Sequence, residues 1–414
     1  MKDDTVTRLF SKQNNYSWLF NDISLVFVGS ALSMMVNSLA ALIIIAFIFV
    51  KHLLFGDVFR SLCSCAGVFV VLLFVGIADY LLMGEGDVAI VIRDYALLVM
   101  CLCIGMSLGC AKSSDYLKEG LLGIRNYMVF ACFVSFIMEV LFRTKFDVNF
   151  SHVPFQTAPI IGDLLSYRCQ SYLGHPIVFA HMLISAAVIS FFYESSPVKK
   201  WGTILLFLVF VFLTRSRSAW LIVGLYLLFA VLFFLRSQKI KHWNYVVLAL
   251  PFAAFVLAWL FTSDLIPMIV SRFSELSVDS SYSQRSGAIF YMLGKWANAP
   301  IMWLFGSGDN ASSIAMSETR IVIENFTIVD NGWVTLLFNF GLLGIVSMLY
   351  LFIQPLLAMK SGGNRRLCLC VFIGFSLTFC LELCFYETFG WFVPFSLLLI
   401  LSGYFITSRI AFVD

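Results

Sequence analysis

Runs of almost uninterrupted apolar residues recur along the whole chain, and their length constrains the fold more than any other feature. The hydrocarbon core of a bilayer is about 30 Å thick, which a helix of about 20 apolar residues crosses. The chain is 61% hydrophobic and 12% charged, whereas soluble domains carry about 25% charged residues. Windows of sufficient length and apolarity predict about twelve spans: 19–34, 36–54, 61–83, 88–110, 121–142, 173–193, 201–214, 218–235, 243–262, 332–354, 366–386 and 389–407.

These windows predict an all-α, polytopic transmembrane helix bundle that forms one integral membrane domain over residues 1–414. The first two spans are divided at Asn37 in the stretch "MMVNS", and one long span over 19–54 is the alternative. The seventh span, 201–214, is short and stops at two arginines. A net charge of only +3 gives no indication of a nucleic-acid partner.

The lysines and arginines alternate between the two sides of the predicted bundle. Because cytoplasmic loops of membrane proteins are enriched in Lys and Arg, the side with more of them is predicted to be cytoplasmic, and both termini lie on it. The cations on that side occupy short loops and tails: Lys2, Arg8, Lys12, Lys51, Arg60, Lys112, Lys118, Arg125, Lys199, Lys200, Arg236, Lys239, Lys241, Lys360, Arg365, Arg366 and Arg409.

The cations predicted on the outer side are mostly arginines, which bind phosphate oxygens in a planar fork: Arg93, Arg143, Lys145, Arg168, Arg215, Arg217, Arg272, Arg285, Lys295 and Arg320. Two long segments, 143–172 and 263–331, are also predicted outside, and loops of such length are usually functional. The second contains "SQRSGAIFYMLGKWANAP", which predicts an amphipathic helix that Pro300 ends. Its predicted apolar face, suited to lie at the membrane interface, consists of Ile289, Phe290, Leu293 and Trp296.

Arg215 and Arg217 in "LTRSRSAWLIVG" stand between two apolar runs, at the outer end of the seventh span. A charge at mid-depth in the bilayer costs at least about 2.5–3.5 kcal/mol, so membrane arginines are retained for a reason. An arginine at a helix end can snorkel to the headgroups, but positive charge on the outer side runs against the sidedness rule. We interpret the pair as an anion-binding site at the outer boundary, with snorkelling as the alternative.

Three further stretches carry polar residues at predicted outer helix ends. In "LSYRCQSYLGHPIVFAHML", Arg168 and His175 lie at the mouth of the sixth span, while the deeper His181 is typical of a core histidine. "RFSELSVDSSYSQRSG" places Arg272 and Arg285 around the predicted amphipathic helix. A lipid diphosphate suits arginines at the outer leaflet, since its tail occupies the bilayer while its charge stays at the boundary.

"IVDNGWVTLLFNFGLLG" is the third such stretch, with Asp330 and Asn331 directly before the tenth span. Aspartate or asparagine at this position can cap the helix by accepting from its first N–H groups. Capping is sufficient to explain one of the two residues, and it is compatible with a role in catalysis.

The chain resembles the O-antigen polymerase and ligase superfamily of bacterial envelope assembly. The resemblance rests on the order of "TRSRSAW", an arginine in a loop helix before "NAPIMWLFGSG", and the polar doublet that begins "VDNGWVTLLFNFGLLG". It implies a membrane glycosyltransferase fold of the GT-C kind in the inner membrane, with the large loop and its active site facing the periplasm. The family's ligases have a histidine where this chain has Asp330, which favours the Wzy-type polymerase branch and leaves the general base open.

The resemblance implies that a growing glycan leaves undecaprenyl diphosphate for a hydroxyl of the next lipid-linked repeat unit. Donor and acceptor lipids are then the partners, together with membrane lipids and, as the family allows, a chain-length regulator protein. Arg217 and Arg285 are expected to stabilise the leaving diphosphate, and Asp330 to orient or deprotonate the acceptor. Arg168, Arg215, Arg272, His175 and Asn331 are expected to bind substrate.

No cofactor or metal is expected, because preorganised arginines can supply the electrostatic stabilisation and the chain has no Asp-x-Asp pair. A metal-dependent transferase that uses Glu85 and Asp87 is one alternative. An O-antigen ligase that transfers glycan to lipid A-core is another. A lipid-linked oligosaccharide flippase is the third, although transporters usually show internal repeats and broken helices at mid-depth.

Overall fold

The described part of the computed structural model is almost entirely helical and contains one small β-hairpin. The structure describes residues 21–35, 38–55, 88–111, 114–146, 157–162, 167–236, 280–295, 300–308, 311–317, 329, 331–385 and 392–411. The helices are α1 (Asp22–Met35), α2 (Ser38–Phe55), α3 (Val88–Ala111), α4 (Ser114–Leu141), α5 (Pro176–Tyr193), α6 (Pro197–Leu213), α7 (Arg217–Arg236), α8 (Ser280–Lys295), α9 (Pro300–Phe305), α10 (Ala311–Ser317), α11 (Gly332–Lys360), α12 (Arg365–Leu383) and α13 (Phe392–Ala411). Strands β1 (Thr144–Phe146) and β2 (Thr157–Pro159) pair antiparallel, with Lys145 opposite Ala158.

Ten of the described helices, α1 to α7 and α11 to α13, coincide with predicted spans, and the predicted spans 61–83 and 243–262 lie outside the described residues. Within the described ranges, four helices are long and apolar enough to cross a membrane, namely α4, α5, α11 and α12. Shorter apolar stretches lie in α1, α2, α3, α7 and α13. The described residues of the run 19–54 form two helices, α1 and α2, which pack against each other, and the predicted break at Asn37 lies outside the described residues. Helix α4 begins at Ser114, before the predicted 121, because its polar first turns extend the helix beyond its apolar part.

Helices α3 and α13 pack closely through glycines. A Cβ atom on Gly105 would overlap the carbonyl oxygen of Ile400, and one on Gly403 would overlap backbone atoms of α3. Small residues let helix backbones approach each other in a membrane, where packing rather than hydrophobic transfer drives association. Around this pair lies the main apolar core, which includes Phe27, Phe179 and Phe375.

Helix α11 is broken at Gly341, whose φ of 64° and ψ of −161° are not helical. The break leaves carbonyl groups of α11 without helical partners, and backbone N–H groups of the segment after α9 bind them. Ser307 N–H donates to Phe338 O and Gly308 N–H donates to Asn339 O, both at 2.8 Å. A Cβ on Gly341 would meet the Leu304 carbonyl. The two motif stretches "LFGSG" and "NFGLLG" therefore interlock through their backbones.

The long segment before α11 contains the predicted helix, α8. Its buried residues are Ala288 and Met292, which pack with Phe338 of α11, whereas Phe290 of the predicted apolar face is 77% exposed. A face that the protein leaves exposed can lie at the membrane interface, and this expectation for α8 stays a prediction. Helix α8 extends to Lys295 and Pro300 opens α9, while residues 296–299 lie outside the described residues.

Polar contacts group the helix ends into two faces. On one, named the basic face, Asp22 contacts Lys51 and His52, Arg125 pairs with Glu194 at 2.8 Å, and Arg366 stacks on Tyr193. The opposite ends of the same helices form the second face, named the site face, where α4 ends, α5 begins and α6 meets α7. The cations at these contacts are all among those predicted to be cytoplasmic, and they lie on the same face of the bundle.

Candidate active site

The break between α6 and α7 is the centre of the site face. Helix α6 ends at Leu213, and Arg215 adopts a left-handed φ of 52°, which is unusual for a residue with a side chain and often marks function. Ser216 then caps α7, since its Oγ accepts from Ala219 N–H at 3.4 Å. Arg217 is the first residue of α7 and is half-buried. The sequence "TRSRS" therefore encodes a tight turn that holds two arginines at adjoining helix ends.

Arg168 approaches this break from the segment before α5. Its Nε donates to the Thr214 carbonyl at 3.2 Å, and the N–H of Cys169 donates to the Leu213 carbonyl at 3.1 Å. The last carbonyls of a helix lack partners within it, and its C-terminus favours positive charge. Arg168 thus satisfies the end of α6 and lies beside the strained Arg215.

A buried carboxylate, Glu139, holds the Arg168 segment in place. It lies in the π-helical end of α4 and is fully buried. Its oxygens accept from the Tyr167 hydroxyl at 2.7 Å and from the N–H groups of Gln170 and Ser171 at 3.1 and 3.2 Å. The Ser135 hydroxyl donates to it as well. These donors come from both sides of Arg168 in the chain, so Glu139 fixes its backbone.

His175 occupies the position directly before α5 and Pro176, in extended backbone conformation. Burial, assisted by the nearby charge of Arg168, lowers the pKa of His175 to about 3. The imidazole is therefore neutral near pH 7. It can offer a hydrogen bond to a substrate, but it adds no positive charge to the arginines.

Glu382, near the end of α12, reaches the same break from the other side. It is fully buried, and its Oε1 accepts from the Ser218 hydroxyl at 2.7 Å. Ser218 in turn lies 2.9 Å from Ser216 between their hydroxyl oxygens. The charge of Arg168 acts on this carboxylate. The other oxygen, Oε2, is buried and has no hydrogen-bond partner among the described residues.

Asn331 connects the start of α11 to this cluster. Its side chain caps α11 by accepting from Val334 N–H at 3.1 Å, and its Nδ2 donates to the Cys384 carbonyl at 3.3 Å. Trp333 Nε1 also donates to α12, at the Cys380 carbonyl. Capping, which the sequence allowed as a sufficient explanation, is therefore the observed role of Asn331. The stretches "TRSRSAW" and "VDNGW", more than a hundred positions apart, meet through the end of α12.

Three predicted site residues, Arg285, Asp330 and Arg272, are not among those that the described structure brings together at the break. Arg285 lies in the second turn of α8 and not at its start, one turn before Ala288, which packs in the cluster with α11. Asp330 and Arg272 lie outside the described residues. The structure therefore brings together Arg168, Arg215, Arg217, His175 and Asn331, and it adds Glu139 and Glu382 to them.

A comparison with known families identifies the region that contains the break. Residues 202–349, from α6 to the middle of α11, match a family model described as O-antigen ligase. This region, just over a third of the chain, is similar to the O-antigen ligase family. No curated protein matches the chain significantly. The family and the apolar helices together indicate a membrane-embedded protein with an activity of the O-antigen ligase or polymerase type.

The match contains Arg215, Arg217 and Arg285, whereas Glu139 and Glu382 lie on either side of it. Sequence reasoning missed both carboxylates, although each is a lone acid in an apolar run, "FIMEVLF" and "FCLELCF". An ionisable residue inside a membrane segment is a functional hypothesis by default, and this signal was available. Among the described residues, no group of three His, Cys, Asp or Glu side chains could hold a metal ion. Glu85 and Asp87, the acids of the metal-dependent alternative, lie outside the described residues.

Proposed function

We propose that this protein polymerises a bacterial surface polysaccharide of the O-antigen kind. It transfers the growing glycan from undecaprenyl diphosphate to a hydroxyl of a second lipid-linked repeat unit, at the periplasmic side of the inner membrane. The observation that carries the proposal is the contact path through the site face: Arg168, the Arg215–Arg217 turn, Ser218, Glu382 and the capped start of α11 form one connected cluster.

In the transfer, the anomeric carbon of the donor sugar loses one bond to oxygen and forms another. The bond from the anomeric carbon of the donor sugar to the diphosphate oxygen breaks, and its electron pair leaves with the diphosphate. The acceptor hydroxyl oxygen bonds to that carbon, and its proton passes to a carboxylate. Asp330 is our candidate for this base, because it directly precedes the capped start of α11.

Arginines meet the charge that develops on the leaving diphosphate. Arg217 and Arg285 take this role, while Arg168, Arg215 and Arg272 bind the acceptor diphosphate, assisted by neutral His175 and by Asn331. Preorganised donors are most effective where water is excluded and no reorganisation is required during the reaction. The turn that fixes Arg215, and the hydrogen bond from Arg168 to Thr214, supply such preorganisation.

Two buried carboxylates position these cations without touching substrate in our scheme. Glu139 fixes the backbone around Arg168. Glu382 binds Ser218 in the first turn of α7, directly after Arg217. This hydrogen bond fixes the first turn of α7, which presents the arginines.

The mechanism that we propose requires no divalent metal. Purified protein should continue to lengthen lipid-linked glycan in excess chelator, as followed by gel. A complete stop that added Mg²⁺ or Mn²⁺ reverses would instead support the alternative based on Glu85 and Asp87.

An O-antigen ligase is the second candidate, and the description of the matching family favours it. The two activities differ in the acceptor, which is a lipid-linked repeat unit for the polymerase and lipid A-core for the ligase. Deleting the gene and resolving the envelope glycan by gel separates them. Loss of a polymerase leaves cores with a single repeat, whereas loss of a ligase leaves bare cores and accumulates lipid-linked polymer.

A flippase of lipid-linked oligosaccharide belongs to a different class. The break in α11 at Gly341 is a feature that transporters use for binding, but here backbone groups of Ser307 and Gly308 occupy it. Deleting a flippase gene would strand single repeats on the inner leaflet, which the same envelope experiment distinguishes when the lipid-linked intermediates are also extracted.

A further inference from the structure

A groove on the basic face lies where the end of α5 meets the start of α12. It has a volume of about 410 Å³ and is lined by Phe191, Phe192, Arg365, Arg366 and Leu369. Phe191 is 53% exposed. The groove lies at the opposite ends of α5 and α12 from His175 and Glu382, so it is separate from the candidate active site.

The lining residues come from two helix ends that meet. Arg365 and Arg366 are the first two residues of α12 and are exposed, whereas Leu369 lies one turn further along the helix. Phe191 and Phe192 belong to the last turn of α5, level with the arginines, and the Arg366 guanidinium donates to the Phe192 carbonyl. Cationic groups therefore stand beside exposed aromatic rings at the rim, and Leu369 continues the apolar lining along α12. A phospholipid has the complementary order of phosphate and acyl chain.

Positive charge around the rim is in excess. Lys200 lies 5.8 Å above the Phe191 ring, and Arg366 lies 5.3 Å above the Tyr193 ring. Exposed Lys199 is adjacent in sequence to Lys200. Two carboxylates lie near the rim: Glu194 is paired with Arg125 at 2.8 Å and also interacts with Lys199, and Asp115 interacts with Tyr193. The cations of the rim outnumber these two acids.

We propose that this groove binds a glycerophospholipid with a net negative headgroup, in the leaflet at the basic face. The phosphate would contact Arg365 and Arg366, and one acyl chain would lie against Phe191 and Leu369. Basic pockets between transmembrane helices at a cytoplasmic surface are suited to anionic headgroups. A zwitterionic lipid fits less well, because its ammonium group would face the arginines and Lys200.

The test is native mass spectrometry of the purified full chain in detergent, titrated separately with phosphatidylglycerol and phosphatidylcholine. We expect the protein to retain phosphatidylglycerol at clearly lower concentrations. Replacing Arg365 with Gln should weaken phosphatidylglycerol binding roughly fivefold, with phosphatidylcholine unaffected, because a cation near a membrane surface contributes at that level. Excess glycerol phosphate should not displace the lipid, since the acyl chain is part of the binding.

Lys145→Gln is the matched control, because it removes one positive charge from β1, on the site face, and should leave lipid retention unchanged. Arg365 is exposed, so its substitution is expected to preserve folding, and unfolding temperature in phosphatidylcholine checks this. Equal retention of the two lipids by the wild type would overturn the proposal. So would equal losses in Arg365→Gln and Lys145→Gln, or displacement by glycerol phosphate.

Discussion

Two clusters of buried polar side chains occupy opposite faces of the bundle, and they differ in how completely their hydrogen bonds are made. At the basic face, Asp22 accepts from Lys51 at 2.6 Å, from His52 at 3.1 Å and from Tyr116 at 3.0 Å. The other nitrogen of His52 is bonded to Ser107 at 3.0 Å. Both carboxylate oxygens and both ring nitrogens of this cluster therefore have partners.

The site face retains features that a purely structural cluster would avoid. Arg215 has a left-handed backbone, and the buried Oε2 of Glu382 lacks a partner in the described part of the chain. A buried polar atom without a partner costs about 1–3 kcal/mol, and proteins usually break such local rules at functional sites. We infer from this comparison that the first cluster stabilises the fold, and our proposed function assigns the second cluster to ligand binding.

The largest effect on transfer should come from Arg217→Lys. Lysine keeps the charge but loses the planar fork, and removing one preorganised donor costs about 10²–10³-fold in rate. We expect severe loss of long glycan on envelope gels with normal membrane insertion. Arg125→Lys, an arginine of the basic face, should keep the wild-type ladder. A normal ladder in the Arg217 variant would exclude this residue from the site.

Glu382→Gln should lower the transfer rate without lowering the unfolding temperature. The glutamine oxygen can still accept from Ser218, but the charge beside Arg168 is lost, so transfer should fall roughly 100-fold through misplacement of the arginines. The unfolding temperature should hold or rise, because the buried charge without a second partner is removed. Glu194→Gln on the basic face is the control and should retain the wild-type rate. A lowered unfolding temperature with full activity would make Glu382 a structural residue.

Glu139→Gln should have a smaller effect, of about tenfold in transfer, since it acts on Arg168 only through the backbone. The glutamine oxygen can still accept from Gln170 and Ser171, but these hydrogen bonds lose the charge that strengthens them, and an NH2 group replaces the oxygen that accepts from Ser135. Stability should therefore fall as well. The informative readout is the split between KM for the acceptor lipid and kcat, with the increase expected in KM. Tyr167→Phe removes one donor alone and should change KM less. A fall in kcat at constant KM would contradict this role.

Asp22→Asn should leave the transfer rate unchanged in correctly folded protein. Removing one partner of a buried charge cluster destabilises by about 3 kcal/mol, and unfolding followed by heat or denaturant measures that loss. The variant therefore tests whether the Asp22 cluster contributes to stability and not to transfer. A lower rate in protein that remains fully folded would show that the basic face contributes to catalysis.

Hydropathy was sufficient to place the described helices of the bundle, because the length of an apolar run follows from bilayer thickness. Hydropathy was less informative about helix contacts, which depend on side-chain packing. Nothing in the pattern of α8 distinguishes Ala288 from Phe290 as the contact with α11, and the Gly341 break depends on a loop that begins at Gly306, far away in sequence.

The arginines of the site were predictable from their position against the sidedness rule, whereas Glu139 and Glu382 were not proposed. A single acid in an apolar run has no local pattern that identifies its partner. Its role becomes visible only when Gln170 and Ser218 arrive from other helices. The roles of all the predicted site residues remain predictions, and Arg272 and Asp330 lie outside the described residues.

The most direct test of the central claim is to map where the lipid diphosphate binds. A photoactivatable undecaprenyl diphosphate analogue, with its reactive group next to the diphosphate, is crosslinked to the purified chain and the labelled peptides are identified by mass spectrometry. The account predicts labels at residues 213–220 and 376–385, which free undecaprenyl diphosphate competes away. Competed labels confined to the basic face, at Phe191 or Arg365, would contradict it.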